Sequence, residues 1–242
     1  MAASVAFSGH GTLVVWNDYP VAELTSVTGP NSDLQEIDVT NFDSPDDYRE
    51  FIMGAIESGE FTIDGNFIPT DTNGQIAMIA DHQARTSRTG RIIFPEGKAM
   101  MTFTGRIKTL TLSTSYDSKV SFSATFKVSG STTFTTVSAA DGLTTPFFAL
   151  RDQIGNAITP SPVAAGDTYW FAATLDAADT AIAVQPTAAA GTIKVNGAAV
   201  TSGAWSGDIS VTSGTTKLVV IETLETDKVS RVYRIHVTRP SS

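Results

Sequence analysis

The sequence predicts an all-β chain in two modules with one short helix. Three observations carry this reading. Short stretches alternate polar and apolar residues with a period of two, turns rich in Gly, Pro, Asn and Asp separate them, and the composition changes near residue 140. Residues 1–138 form the first module and 139–242 the second, and 242 residues suffice for two ordinary domains. With 41% hydrophobic and 17% charged residues the chain has the apolar content of an ordered protein.

In the first module, Thr12–Trp16 reads as a strand that enters a turn at Asn17-Asp18, and Val21–Val27 resumes as a second strand before Gly29-Pro30-Asn31-Ser32. Gln35–Thr40 alternates as a half-buried strand should. Asn41–Gly54 is acidic, holds a proline and then turns apolar, which predicts a projecting loop that returns to dock through Phe51, Ile52 and Met53. Gly59–Pro69 is another alternating strand, ended by a residue with no amide hydrogen. Asp71-Thr72-Asn73 can cap a helix from Gly74 to about Ala84, with Ile76, Ala77, Ile79 and Ala80 on its packed side. Strands follow at Arg91–Phe94, Ala99–Thr104, Ile107–Ser115 and Lys119–Ser129, with a hairpin connection at Tyr116-Asp117-Ser118. In the last of these one face is apolar and the other carries Ser121, Ser123, Thr125 and Lys127, a face suited to plain solvation or to a wetted channel wall.

The second module offers about seven short strands with regular turn signals, the pattern of a sandwich. They include Asp167–Thr174, Ala181–Pro186, Thr192–Val195 with a turn at Asn196-Gly197, Asp208–Val211, Thr216–Glu222 and Val229–Thr238.

Charge and composition exclude several functions. Residues 1–138 hold 9 Lys plus Arg against 16 Asp plus Glu, and residues 139–242 hold 7 against 9, so the first module carries most of the net charge of −9. Such a chain is poorly suited to gripping a phosphate backbone. The chain has no cysteine, which removes disulfides, thiolate catalysis and sulfur-ligated metals. The N-terminus lacks the basic and apolar regions of a signal peptide, and no run is long enough for a membrane helix, so no membrane insertion is expected.

No catalytic constellation converges. His10, His82 and His236 lie in different elements, Asp46 and Asp47 are adjacent residues that point apart on extended chain, and Gly9-His10-Gly11 lacks the setting of a phosphate cradle. No enzyme activity, metal or cofactor is therefore expected. Arg85, Arg88 and Arg91 are the one basic cluster, and pairing with Asp43, Asp46 and Asp47 of a neighbouring subunit is the favoured use. Trp205, in a Gly-rich loop, is the candidate exposed aromatic for weak contact with a carbohydrate or host surface.

The stretches Ile37–Thr40, Arg49–Gly54 and Gly59–Phe67, with Val120–Gly130, resemble the major tail tube proteins of long non-contractile bacteriophage tails over about residues 5–135. The resemblance implies a tail-tube-type β-sandwich or barrel with one helix, copies closing six to a ring, and rings stacking around a β-lined bore that DNA crosses transiently. On that basis Asp43, Asp46, Asp47, Glu50, Phe51 and Ile52 belong to an inter-ring loop, and Ser121, Ser123, Thr125 and Lys127 to the bore. The implied partners are further copies of the chain and the tape measure, tail tip and terminator proteins; the implied location is the virion tail, assembled in the host cytoplasm. Thr192–Val200, Lys217–Ile221 and Tyr233–Arg239 resemble a cadherin-like or immunoglobulin-like β-sandwich over about 145–240, implying an outward-facing accessory domain. The alternative function is a secreted or surface-displayed adhesion module binding carbohydrate or protein.

Overall fold

A computed structural model describes residues 8–45, 48–136, 139–164 and 169–241. Asp46, Asp47, the first residues of the expected N-terminal arm, the expected 138/139 boundary and the start of the expected Asp167 strand lie outside these. The chain divides into two compact units, and the division does not follow chain order. Unit 1 takes in the chain up to Val21, Arg91–Met101 and Phe134–Ser242; unit 2 takes in Ala22–Gly90 and Thr102–Thr133.

Strands β1 (Leu13–Trp16) and β2 (Tyr19–Pro20) form a tight hairpin, with Trp16 opposite Tyr19 and the turn residues Asn17 and Asp18 at positive φ. The chain continues through β3 (Leu24–Thr28), β4 (Asp33–Asp38), β5 (Phe51–Glu57), β6 (Glu60–Asn66) and helix α1 (Gln75–Ala84). Then come β7 (Arg88–Ile93), β8 (Met100–Ser113), β9 (Ser121–Val128) and β10 (Thr133–Thr135). Strands β7 and β8 carry residues of both units. In unit 2 the strand order is β8-β9-β6-β3.

The inward residues of β6 and β9 are Phe61, Ile63, Phe122, Ala124, Phe126 and Val128, all buried. Phe61 stacks on Phe126 with centroids 4.4 Å apart and meets Phe103 edge-on at 4.6 Å, so aromatic packing anchors this core. Expectation and structure part at β8. Gly105 and Arg106 read as a break between two strands, but β8 is continuous, with a register shift between Ile107 and Thr109. Gly105 permits the close pairing, since a Cβ there would sit 2.8 Å from the Lys127 carbonyl oxygen.

Asp71 serves the helix start as expected, its carboxylate accepting from the Gly74 and Gln75 amides and also from Ala22 N. The buried side of α1, however, is Gln75, Met78 and Asp81, not the Ile76–Ala80 set. Gln75 is fully buried because its amide is fully used: Oε1 accepts from Ile68 N while Nε2 donates to the Ala22 and Asn66 carbonyls. Among the described residues no helix is long and apolar enough to cross a membrane.

The C-terminal strands of unit 1 are β11 (Leu143–Asp152), β12 (Ala157–Ile158), β13 (Ser161–Pro162), β14 (Trp170–Thr174), β15 (Ala181–Ala188) and β16 (Thr192–Val195). They end with β17 (Ala198–Val200), β18 (Ile209–Ser210), β19 (Thr216–Leu224) and β20 (Arg231–Thr238). These make a four-stranded sheet, β12-β11-β15-β18, and a six-stranded sheet, β13-β14-β20-β19-β16-β17, with β14 and β20 parallel. Phe148, Leu150, Phe171, Ile182, Val184, Val219, Ile221, Tyr233 and Ile235 fill the core between them.

Asp152 closes the β11–β12 turn. Burial works to raise its carboxyl, but hydrogen bonds from Asn156 N (2.8 Å), Asn156 Nδ2 (2.7 Å) and Ile154 N (2.9 Å) outweigh this and hold it below the ordinary value of 3.8. A carboxyl depressed in the folded state contributes stability above its unfolded pKa and loses it as pH falls through the folded one. Acid unfolding followed by circular dichroism should therefore show a loss of stability below pH 3.8 that Asp152→Asn makes shallower.

Candidate functional site

The most exposed apolar surface of unit 2 is the ribbon formed by β4 and β5, which among the described residues pair only with each other. Its register places Leu34 opposite Ile56 and Ile37 opposite Ile52. The register shift between Leu34 and Glu36 puts the extra residue in β5, where Gly54 and Ala55 stand opposite Gln35, so Leu34 and Ile56 lie on one face and Ile37 and Ile52 on the other. Both faces therefore carry exposed aliphatic side chains, with Ile52 at 52% and Ile56 at 70% exposure. The face of Leu34 and Ile56 also holds Met53 and Phe51, across from Glu36 and Asp38.

Two expectations are corrected here. Gln35–Thr40 is not half-buried, since every residue of β4 is exposed; alternation marks two faces but does not say which is covered by the same chain. Phe51, Ile52 and Met53 do not dock back, because they form the outgoing strand of the ribbon, with Met53 67% exposed.

The loop between these strands is organised by Glu50. Its carboxylate accepts from Ser44 Oγ (2.7 Å), its carbonyl oxygen accepts from Val39 N (2.9 Å), and its amide donates to Thr40 Oγ1 (3.0 Å). Asp43 and Phe42 are exposed at the loop end.

The second candidate surface is the polar face of β9. Ser121, Ser123, Thr125 and Lys127 alternate with four buried residues, so they point away from the core. Register extends this face across β6, where Asn66, Asp64, Thr62 and Glu60 stand opposite the four in turn. Thr62 and Thr125 hydroxyls hydrogen-bond at 3.0 Å. Lys127 pairs with Glu57 at 3.2 Å and Lys108 with Glu60 at 2.7 Å, which leaves Asp64 as surplus negative charge on the band. The β6 residues escaped the sequence reading because only strand pairing brings them beside β9.

The arginines are divided rather than clustered. Arg88 makes a bidentate pair with Asp81 at 2.9–3.2 Å, and Arg85, left-handed at the helix C-cap, is exposed. Arg91 lies in unit 1, bonded to Asp18 and Glu222, both at 3.0 Å. Lys194 also reaches Asp18, at 2.6 Å. Trp205 is half-buried rather than exposed, because the Arg151 guanidinium lies 4.4 Å over its ring. His82 Nδ1 is 3.1 Å from the Ile107 carbonyl oxygen, while His10 and His236 both stack on Trp170. Among the described residues no three His, Asp or Glu side chains gather as a metal site.

A β subunit whose candidate site is a pair of surfaces belongs with structural proteins. The family described as lambda phage tail tube protein matches residues 8–135, just over half of the chain, and the cadherin-like β-sandwich domain matches residues 156–240. The chain belongs to the lambda phage tail tube protein family and is a structural subunit of a phage tail tube, located in the tail of the virion. No curated protein matches the sequence.

Among solved structures, the chain is similar to one in the virion of a native gene transfer agent particle, at 18% identity and TM-score 0.46, covering 54% of this chain and 99% of that one. It is similar to one in the tail of an empty gene transfer agent particle with C6 symmetry, at 18% identity, TM-score 0.45 and the same coverage. A third likeness is to a chain in a structure of an extracellular contractile injection system, sheath/tube terminator in extended state, at 12% identity, TM-score 0.46, covering 55% of this chain and 99% of that one.

Within unit 1, Arg91 and Glu222 keep 12% and 5% side-chain exposure. Burial pushes the Glu222 carboxyl up, with Arg91 and Lys194 pulling the other way. Removing one partner of such a pair strands the other, so Arg91→Ala should cost about 3–5 kcal/mol in chemical denaturation. Arg91→Met combined with Glu222→Leu should restore most of that loss.

Proposed function

We propose that copies of this chain close into hexameric rings that stack into a tube, and that double-stranded DNA passes transiently along its bore. The observation that carries this reading is the β4–β5 ribbon, whose apolar side chains are left exposed on both faces by the rest of the described chain. A contiguous exposed apolar surface is a site of association, and on a ring-forming subunit the occupant is the next ring. In this reading Asp43, Asp46, Asp47 and Glu50 tip the inter-ring contact, and Phe51 and Ile52 supply its buried area. Arg85, the arginine with a solvent-exposed charge, is the member of the basic set suited to an acidic loop of a neighbouring copy.

The polar band of β9 and β6 faces the bore. Its hydroxyls and paired charges offer little to a phosphate backbone, which suits a wall that DNA must leave. Residues 1–138 form the tube and 139–242 project outward, and the subunit performs no chemistry. The tape measure, terminator and tail tip proteins are its further partners, and assembly takes place in the host cytoplasm. A weak host-surface contact falls to the C-terminal sandwich.

Ile52→Asp should abolish tubes in negative-stain electron microscopy while the monomer keeps its thermal midpoint, since a surface change away from the core costs within about 0.5 kcal/mol. Tubes formed as readily by that variant would overturn the assigned contact. Ser123→Lys with Thr125→Lys should leave tubes intact but make them retain DNA at low salt and release it as salt rises. DNA retention equal to that of the parent tube would remove the band from the bore.

A further inference from the structure

Unit 1 holds a cavity of about 440 Å³ whose lining includes Ser8, His10, Phe94, Tyr169, Trp170 and Arg234. Its size lies in the range of small-molecule sites. No carboxylate is among its described lining residues, in a chain whose net charge is −9, so the cavity is locally cationic.

Arg234 supplies that charge. The residue is 7% exposed, and Nη2 donates to the Gly11 carbonyl oxygen at 2.5 Å. The guanidinium carbon lies 4.8 Å from the Trp170 ring centre. Neither contact neutralises the charge, and among the described residues no Asp or Glu pairs with it. Burial accordingly pushes the Arg234 pKa down to about 10, which leaves the group charged at neutral pH.

A guanidinium has five N–H donors, and among the described residues only Nη2 of Arg234 has an acceptor. Arg91 and Arg231 each bury an Nε without a partner, whereas no nitrogen of Arg234 is sealed in that way. Its remaining donors are therefore open to the cavity. A buried, uncompensated cation with open donors favours a carboxylate, which it can bind through two parallel hydrogen bonds. Phosphate carries a second charge and a tetrahedral array of oxygens, for which the lining offers no second permanent cation. Around the guanidinium, Phe94, Tyr169 and Trp170 provide apolar and aromatic walls, and Ser8 and Ser230 provide hydroxyls, so the body that carries the carboxylate can be as large as a ring.

We propose that this cavity is a binding site for small carboxylates, with Arg234 as the anion receptor. It goes beyond tube formation and depends on no contact between copies. The carboxylate can come from a free organic acid or from a carboxylated sugar.

The test titrates the full-length protein with sodium acetate, sodium glucuronate and glucose at constant ionic strength, reading tryptophan fluorescence, since Trp170 borders Arg234. Both carboxylates should give a saturable change with a dissociation constant on the order of millimolar, and glucose and chloride should give none. Glucuronate binding about tenfold or more tighter than acetate assigns the sugar source, and equal binding assigns the free acid. Arg234→Met should weaken binding at least about tenfold. Should that variant fail to fold, Ser8→Phe at the solvent-exposed edge of the cavity should weaken glucuronate several-fold without moving the thermal midpoint. No saturable response to either carboxylate, an equal response to chloride, or undiminished binding by a folded Arg234→Met or Ser8→Phe variant would each overturn the assignment.

Discussion

The Arg91–Glu222 ion pair is the constraint on which unit 1 depends. It joins β7 to β19 at 3.0 Å, and Asp18 and Lys194 extend it to the β1–β2 turn and to β16. Leu13, Val15, Ile93, Val220 and Val232 form an apolar cluster in the same unit. Desolvating two charges costs several kcal/mol per ion, so the pair adds little net stability over a well-packed apolar replacement. Its effect is on register: a one-residue slip of any of these strands would strand a buried charge. Arg91 Nε and Glu222 Oε1, both buried without a partner, show how little slack this arrangement has.

That constraint explains the composition of β1. Leu-Val-Val-Trp is buried at all four positions, and successive side chains of a strand point to opposite faces, so both faces of β1 are covered. The ribbon is the reverse case. It carries Leu34, Ile37, Phe51, Ile52, Met53 and Ile56, yet β4 is exposed throughout and β5 nearly so. Large apolar side chains thus have opposite fates in β1 and in the ribbon, decided by what packs on them. The single chain supplies cover for β1 and, among its described residues, none for the ribbon.

Much of this was legible before the structure. Alternation located β6 and β9 and separated Phe122, Ala124, Phe126 and Val128 from Ser121, Ser123, Thr125 and Lys127, because a period of two is a property of the strand itself. Asp71 was readable as the helix cap for the same local reason. What escaped was non-local. Arg85, Arg88 and Arg91 looked like one cluster because they are close in sequence, but their partners are 7 residues away in Asp81 for Arg88 and 131 away in Glu222 for Arg91. The helix face was misassigned because hydropathy excludes a buried Gln, while one hydrogen bond accepted from Ile68 and two donated to Ala22 and Asn66 make Gln75 a core residue. The Arg234 cavity unites residues more than 200 positions apart, and no pattern of spacing could have joined Gly11 to Arg234.

The family match and the compact units divide the chain differently, and the difference has a physical meaning. Residues 8–135 match the tail tube family as one stretch, yet residues up to Val21 and Arg91–Met101 of that stretch share a unit with the C-terminal strands. A family match records which residues descend together; compactness records which residues bury one another. For β1 the second consideration governs stability, since Leu13 and Val15 cluster with Val220 and Val232. A chain cut near residue 138 would keep the whole family match and lose that cover, baring apolar side chains on a strand that has no polar face to offer water. The C-terminal sandwich is therefore part of the core of β1, whatever else it presents to the outside.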